Sequence, residues 1–205
     1  MYVVRVESED QAAVQNLAHE KPDDVVGVFS DPRIESIAQS YCGQNPVGNS
    51  ETVAEKLGVS NLDSTGKDIR IAIVDTGIHA DGHIKVTKGW SPPGVHVEPG
   101  HTKRDHGTMC AFDALIAAPD AQILDFALLQ STGQMWSGFL SDAVAAYAAL
   151  IEMIQSEPGP LVVNNSWGIF DLSQDLPVGD PGNYSANPNH PFNQIVVSLI
   201  AAGAE

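Results

Sequence analysis

Basic side chains are scarce in this sequence of 205 residues, which has 10 Lys and Arg against 26 Asp and Glu and a formal net charge of −16 at pH 7. Contacts with nucleic-acid phosphates need a basic surface, and attraction to anionic lipid headgroups needs one as well. We therefore expect no nucleic-acid partner and no membrane partner. The acidic surface promotes solubility but says little about the fold.

Long apolar runs and cysteines are scarce too. No apolar run approaches the ~20 residues that span a bilayer. No signal peptide follows Met1, so the sequence leaves the localisation open. Cys42 and Cys110 are too few for a disulfide scaffold, and their spacing matches no metal module. We expect Cys110 to be a small packed thiol.

The sequence also lacks a clear metal-binding pattern. Four histidines lie within one stretch of turns and loops: His79, His83, His96 and His101. They could form a zinc site, but their spacing makes this the less favoured interpretation. Three acids lie among Gly and Pro without the spacing of an EF-hand calcium loop; they are Asp171, Asp175 and Asp180. We predict no cofactor, and no clear motif supports calcium.

The clearest element that is present is the apolar run over residues 69–78. Its branched side chains favour a buried, extended strand. Asp75 ends the run, so its carboxylate is expected at the carboxyl end of the strand. In open α/β sheets that edge is where ligands and chemistry are found. Gly77 then allows a sharp turn.

Strands and helices alternate through the rest of the chain. The apolar pattern predicts extended segments at 84–90, 121–129 and 161–165. It predicts helices at 106–118, 139–155 and from Pro191 onward, with Ile195, Leu199 and Ile200 facing inward and Gly203 at the end. This alternation requires parallel pairing with right-handed crossovers. The predicted fold class is α/β with an open, doubly wound parallel sheet.

The first 68 residues are organised differently. A weakly alternating stretch at 2–6, a helix opened by Ser8-Glu9-Asp10-Gln11 and a run at 25–29 predict a small strand–helix–strand unit. Residues 36–68 are predicted to be a connector with one short helix at 51–57. We place boundaries after residues 35 and 68.

Three motifs in this sequence resemble those of the subtilisin-like serine proteases. Val74-Asp75-Thr76-Gly77-Ile78 is similar to the family's aspartate motif, and His106-Gly107-Thr108 is similar to its histidine motif. The segment Val162-Val163-Asn164-Asn165-Ser166-Trp167-Gly168 resembles the one that lines the substrate cleft. Asp before His before Ser is a known order of triad residues.

The resemblance implies a serine-type endopeptidase. In its mechanism a serine attacks a peptide carbonyl, His106 takes the serine proton, and Asp75 holds the imidazole in the productive tautomer. Asp105, next to the histidine, is expected to be exposed and outside the triad. The bound partner would be a peptide or protein substrate in extended conformation.

The same resemblance implies where that substrate binds. Ser166, Trp167 and Gly168 would offer backbone to an extended peptide, and Gly133 would border the opposite side of the cleft. Residues 1–35 would be a partial prodomain, the alternative being a simple N-terminal extension. Residues 69–205 would be the N-terminal part of the catalytic domain.

Two family motifs are missing from these 205 residues. The nucleophile motif Gly-Thr-Ser-Met-Ala does not occur, and neither does Ala-Ala-Gly-Asn, which carries the oxyanion asparagine. Ala201-Ala202-Gly203-Ala204 is similar, but it directly follows a predicted helix, whereas the family places the asparagine after the next strand. We therefore expect a catalytic domain and a parallel sheet that are incomplete on the C-terminal side, and a chain that is inactive alone.

Two other functions stay open at this point. The chain could be a non-catalytic, peptide-binding pseudo-protease domain. More distantly, Asp75-Thr76-Gly77 could serve an aspartic protease, because Asp-Thr-Gly after an apolar run is also found in that class.

Overall fold

The computed structural model describes residues 3–37, 48–103, 105–134 and 136–205. The helices in this part of the chain are α1 Gln11–Glu20, α2 Ser50–Leu57, α3 His106–Ala117, α4 Leu140–Ser156 and α5 Pro191–Ala201. The strands are β1 Arg33–Ser36, β2 Arg70–Asp75, β3 Val86–Trp90, β4 Gln122–Ala127, β5 Ser137–Phe139, β6 Leu161–Asn165 and β7 Trp167–Gly168. Cys42 and residues 38–47 of the connector lie outside the described residues.

Four parallel strands form the main sheet, in the order β3-β4-β2-β6. All six residues of β2 are buried, as expected for a strand covered on both faces. Asp75, the last residue of β2, lies opposite Ala127, the last residue of β4. The predicted α/β class with a parallel sheet is therefore confirmed, and Asp75 lies at the predicted edge.

Helices cover the two faces of this sheet and divide the core in two. Successive side chains of a strand point to opposite faces, so neighbouring residues of β2 enter different clusters. Val74 packs in the cluster that contains residues of α4 and α5. Ile73 packs in the cluster that contains Ala111 of α3. Helices on opposite faces make the sheet doubly wound, as the sequence predicts.

A second, smaller sheet is antiparallel, and its strand order is β5-β1-β7. Glu35 of β1 lies opposite Ser137 on one side and Gly168 on the other. Ile34, next to it, is fully buried in the core that also contains α4. These strands have four, three and two residues, too short for an alternating pattern to reveal them.

The predicted N-terminal strand–helix–strand unit is wrong in its strands. Helix α1 is present, with Asp10 as N-cap accepting a hydrogen bond from the Ala13 N–H. Residues 3–6 and 25–29 form no strand, and Val4 and Val26 are exposed. Two short strands without a third strand or a covered face are marginal in water, which explains why this pair is absent.

The C-terminal helix agrees with its prediction in most respects. Pro191 occupies the first turn, and Gly203 follows the helix with a φ of 102°, a conformation that favours glycine. Leu199 is buried as predicted, but Ile200 is 62% exposed. The inward prediction for Ile200 is therefore wrong, because the apolar stripe of α5 is wider than its buried face.

The chain returns to the main sheet immediately after α5. Ala204 forms a parallel bridge with Leu161 of β6, and the Val163 N–H donates to the Glu205 carbonyl at 2.7 Å. Residues 201–204 therefore form the end of α5 and the start of a parallel pairing with β6. Among the described residues, no helix is long and apolar enough to cross a membrane.

Asp125 is a buried acid inside β4. Its side chain is 1% exposed, and its Oδ2 accepts a hydrogen bond from the Gly100 N–H at 2.8 Å. Its Oδ1 has no hydrogen-bond partner among the described residues. Burial raises the pKa of Asp125 to about 6. The carboxylate therefore holds the loop before α3 in place. Keeping it ionised in the core destabilises the folded state.

We expect Asp125→Asn to stabilise the protein at neutral pH. Because the folded pKa is raised from 3.8 to about 6, the stabilisation by the protonated carboxyl is complete below the unfolded pKa and is lost as the pH rises through about 6. An amide oxygen still accepts from Gly100 and carries no charge. The variant should gain at most about 3 kcal/mol near neutrality and almost nothing at about pH 4.

Thermal denaturation over a pH series measures this difference. Asp63→Asn, at an exposed acid, is the matched control and should show no such trend. An equal gain for Asp125→Asn at all pH values would contradict the assignment.

Candidate functional site

The structure brings Asp75 and His106 into contact at the carboxyl edge of the main sheet. His106 Nδ1 lies 2.9 Å from Asp75 Oδ2 and 3.0 Å from Oδ1. Asp75 is 0% exposed, and its Oδ1 also accepts from the Thr76 N–H at 2.6 Å. A buried carboxylate needs partners of this kind, and here the histidine is one of them.

Two glycines allow the start of α3 to lie against the end of β2. A Cβ at Gly107 would lie 2.5 Å from the Gly77 carbonyl oxygen, closer than any side chain permits. The Gly107 N–H donates to Thr76 Oγ1 at 2.9 Å. The Asp-Thr-Gly and His-Gly-Thr motifs therefore pack directly against each other, which brings the His106 ring next to the Asp75 carboxylate.

Asp105 is half-buried rather than exposed, so that expectation is wrong. Its carboxylate accepts from the His106 N–H at 2.8 Å and forms a capping box with Thr108. It also accepts from the Trp136 indole N–H. Capping residues stabilise helix starts by about 1 kcal/mol. Asp105 therefore holds the helix end that carries His106.

Trp136 is a residue of this site that the sequence does not reveal. Its φ of 64° is rare for a bulky residue, and such strain persists only where surrounding contacts enforce it. Two contacts do so here: the indole N–H donates to Asp105, and the backbone carbonyl accepts from the Ser36 N–H at 3.0 Å. No local sequence pattern predicts this conformation.

The electrostatic surroundings of His106 raise the pKa of its ring. The hydrogen bond with Asp75 raises the pKa of His106; burial opposes this, and the charges of Asp75, Asp105 and Asp113 add to the increase. With Nδ1–H directed at Asp75, the neutral ring presents Nε2 as the free acceptor. The pair is therefore arranged as an oriented general base.

Cys110 lies one helical turn after the histidine. Its Sγ is 3.8 Å from His106 Nδ1 and 4.0 Å from Asp75 Oδ2. Burial, followed by the charge of Asp75, raises the pKa of Cys110 to about 11. The residue is therefore a protonated, packed thiol, as the sequence predicts.

These three side chains are also the one group of potential metal ligands among the described residues. Neither the four histidines nor the three acids considered above form such a group in this part of the chain. The raised pKa of the Cys110 thiol disfavours the thiolate that a metal requires.

The segment that the sequence predicts to bind substrate pairs with strand β1 of the same chain. The Ile37 N–H donates to the Ser166 carbonyl at 3.2 Å. Ser36 lies opposite Trp167 and Glu35 lies opposite Gly168. Strand β1 therefore lies between β7 and β5 as the middle strand. We call the space between β5 and β7 the cleft.

Gly133 does not pair with β1. It lies in the turn over residues 131–134 with a φ of 71°, and a Cβ at this position would meet none of the described residues within 4 Å. The opposite side of the cleft is formed by Trp136 and β5. In β5, Gly138 lies opposite Ile34, and a Cβ there would lie 3.0 Å from the Leu128 carbonyl oxygen.

Comparison with known proteins gives no matching family model and no matching curated protein. Among solved structures, the chain is similar to Sphericase, with 21% identity, a TM-score of 0.45 and coverage of 70% of this chain and 46% of that one. It is also similar to the MycP3 protease from the type VII (ESX-3) secretion system, with 15% identity, a TM-score of 0.36 and coverage of 66% and 41%. The chain thus spans less than half the length of either.

We expect Asp75→Asn to lower the pKa of His106, because it removes the hydrogen bond and the charge that raise it while burial remains. NMR titration of the ring protons measures this directly. Asp105→Asn keeps a capping side chain and removes only a more distant charge, so its effect should be clearly smaller. Equal shifts in the two variants would show that the short bond to Asp75 is not the dominant cause.

Proposed function

We propose that this chain supplies the Asp and His of a serine endopeptidase that hydrolyses peptide bonds. The observation that carries the proposal is the 2.9 Å contact between His106 Nδ1 and the buried Asp75 carboxylate. In this arrangement the aspartate fixes the tautomer and stabilises the imidazolium, while Nε2 takes the proton of the serine. The serine itself would come from sequence outside these 205 residues.

The cleft supports a peptide or protein substrate in extended conformation. Strand β1 is held there through backbone pairing with β5 and β7. Backbone hydrogen bonds supply affinity for any extended chain, and side-chain positions along it supply preference. Ile34 of β1 is fully buried, so the cleft favours a branched apolar side chain at that position.

The occupied cleft also supports a prodomain-like role for the N-terminal segment. The boundary at residue 35 falls within β1 Arg33–Ser36, so we extend the segment to include the whole strand. In this proposal the segment occupies the place of a substrate until it is displaced. The catalytic part then begins after the connector, at residue 69.

A non-catalytic peptide-binding domain is the second candidate. The observation that favours it is the same strand in the cleft, because binding a peptide requires no serine. The two candidates differ in what the gene encodes after Glu205: a strand, an oxyanion asparagine and a nucleophilic serine support the protease. The aspartic protease has less support, because Asp75 is engaged by His106 rather than sharing a proton with a second carboxylate.

The isolated chain should show no serine-protease turnover. Loss of the nucleophile costs roughly a millionfold in kcat in subtilisin. Treatment with a fluorophosphonate probe should label no serine of the 205-residue chain, while an active serine protease treated in parallel is labelled. Stoichiometric labelling at any serine would contradict the proposal.

In the protein encoded by the complete gene, Asp75→Asn should lower kcat/KM by roughly 10⁴-fold, because an amide favours the wrong tautomer. His106→Ala should be at least as damaging, because no base then takes the serine proton. Assays on one peptide substrate, with folding checked by circular dichroism, measure both effects.

Asp105→Asn is the matched control for that series. Asparagine is as good an N-cap as aspartate, so its kcat/KM should stay within about tenfold of wild type. If Asp105→Asn proves as damaging as Asp75→Asn, Asp75 is not the triad aspartate.

A further inference from the structure

Ser30 ties the segment before β1 to the body of the protein. Its N–H donates to the Gly182 carbonyl at 2.8 Å, and its Oγ donates to Asp175 Oδ1 at 2.6 Å. Its carbonyl accepts from His190 Nε2 at 3.0 Å. We call these three bonds the Ser30 anchor. All three partners lie in the loop between β7 and α5.

His190 takes part in this anchor in one protonation state only. Its Nδ1 accepts from the Phe192 N–H at 3.2 Å, which makes the ring the N-cap of α5. Its Nε2 faces the Ser30 carbonyl and therefore carries the hydrogen. The neutral ring with hydrogen on Nε2 satisfies both partners, and the residue is 3% exposed.

Protonation of His190 is incompatible with this arrangement. A hydrogen on Nδ1 would point at the Phe192 N–H, so the cap bond is lost. The new positive charge would also lie at the N-terminus of α5, where the helix dipole is positive. The ring would have to leave its position, and the Ser30 carbonyl would lose its donor.

Acidic and aromatic groups surround the His190 ring, and its burial and charged neighbours together set its pKa. Burial lowers the pKa of His190; the hydrogen bond to the Ser30 carbonyl, and then the charges of Asp175 in the loop and Asp31 in the N-terminal segment, oppose this without outweighing it. The rings of Tyr184 and Phe29 pack edge-on against it. Among the described residues, no Lys or Arg contributes to its titration.

Asp175, by contrast, stays charged across the relevant range. Partial burial raises its pKa, but hydrogen bonds from Ser30, Tyr184 and Ser185 outweigh this and lower the pKa to about 2. The carboxylate that accepts from Ser30 Oγ therefore does not change state in mild acid. His190 is thus the member of the anchor whose protonation breaks one of its bonds.

A cavity of about 720 Å³ separates the N-terminal segment from this loop. It is lined by α1 and residues 26–29 on one side and by residues of the loop on the other, including Phe29 and Asn189 beside the His190 ring. The cavity borders Phe29, whose ring packs edge-on against His190.

We infer that His190 is an acid-operated switch that releases the Ser30 anchor and thereby frees strand β1 from the cleft. Ser30 lies three residues before β1, in a segment that Ser141 also holds through two hydrogen bonds to Asp31. Opening the Ser30 anchor removes part of what holds this segment, and the hold of β1 on the cleft weakens. A second peptide can then compete for the place between β5 and β7. This inference rests on the proposed function only in treating the cleft as a peptide-binding site.

The test uses the 205-residue chain and a synthetic peptide with the chain's own sequence Arg-Ile-Glu-Ser-Ile, residues 33–37. At about pH 7.5 the tethered strand outcompetes it, because a tethered segment acts at an effective concentration near the millimolar range. At about pH 5 the peptide should bind at least tenfold more tightly. Fluorescence anisotropy of a labelled peptide measures the affinity.

NMR provides the residue-level readout in the same samples. The backbone amide signals of Ser36 and Ile37 should shift with the same midpoint as the His190 ring. The His106 ring should titrate separately and at higher pH, because its pKa is raised and that of His190 is lowered. A different midpoint for the β1 amides would overturn the inference.

Two substitutions remove the titration. His190→Asn keeps an N-cap acceptor but is too short to reach Ser30, and His190→Gln keeps a donor of longer reach. In both variants peptide binding should lose its pH dependence. His19→Gln, at another histidine lining the cavity, should keep it.

Persistence of the pH dependence in both His190 variants would overturn the inference, and so would its loss in His19→Gln. If neither His190 variant folds, the wild-type midpoints still decide the question. None of these measurements requires turnover, so the absence of catalysis would count against the proposed function and leave the switch standing.

Discussion

The hydrogen bond between the buried Asp75 carboxylate and His106 is the interaction on which the arrangement of this molecule depends. A charge with 0% exposure at the end of the central strand is tolerated only with close partners. Those partners come from the turn after β2 and from the start of α3. The approach of α3 to the sheet, the two glycines at the contact and the cap at Asp105 all serve this one requirement.

The long elements of the fold could be predicted from sequence because their pattern is local. Strand β2 and helices α3 and α4 have apolar residues at a regular period, and the acid and the histidine lie at their ends. The small sheet could not be predicted. Strands β1, β5 and β7 gain their structure from partners more than 100 residues away, and their own residues carry no periodic signal.

The candidate site could likewise be predicted only in part. Asp75 and His106 could be predicted because motifs at element ends carry chemistry in α/β folds. The contact between Asp105 and Trp136 could not, since an indole that reaches across from another loop leaves no trace in local sequence. The place of Gly138 beside β1 could not be predicted for the same reason, because only the pairing of β5 with β1 puts it there.

Strand β1 lies in the cleft with Ile34 fully buried and its neighbours Arg33 and Glu35 partly exposed. Because side chains alternate along a strand, a shift by one residue would turn Ile34 to solvent and bring a charged side chain into the core. The buried Ile34 side chain thus fixes the register of β1 between its two neighbouring strands. A small residue at this position would leave a void costing about 2–5 kcal/mol, so the packing of one side chain sets both the position and the composition of the strand.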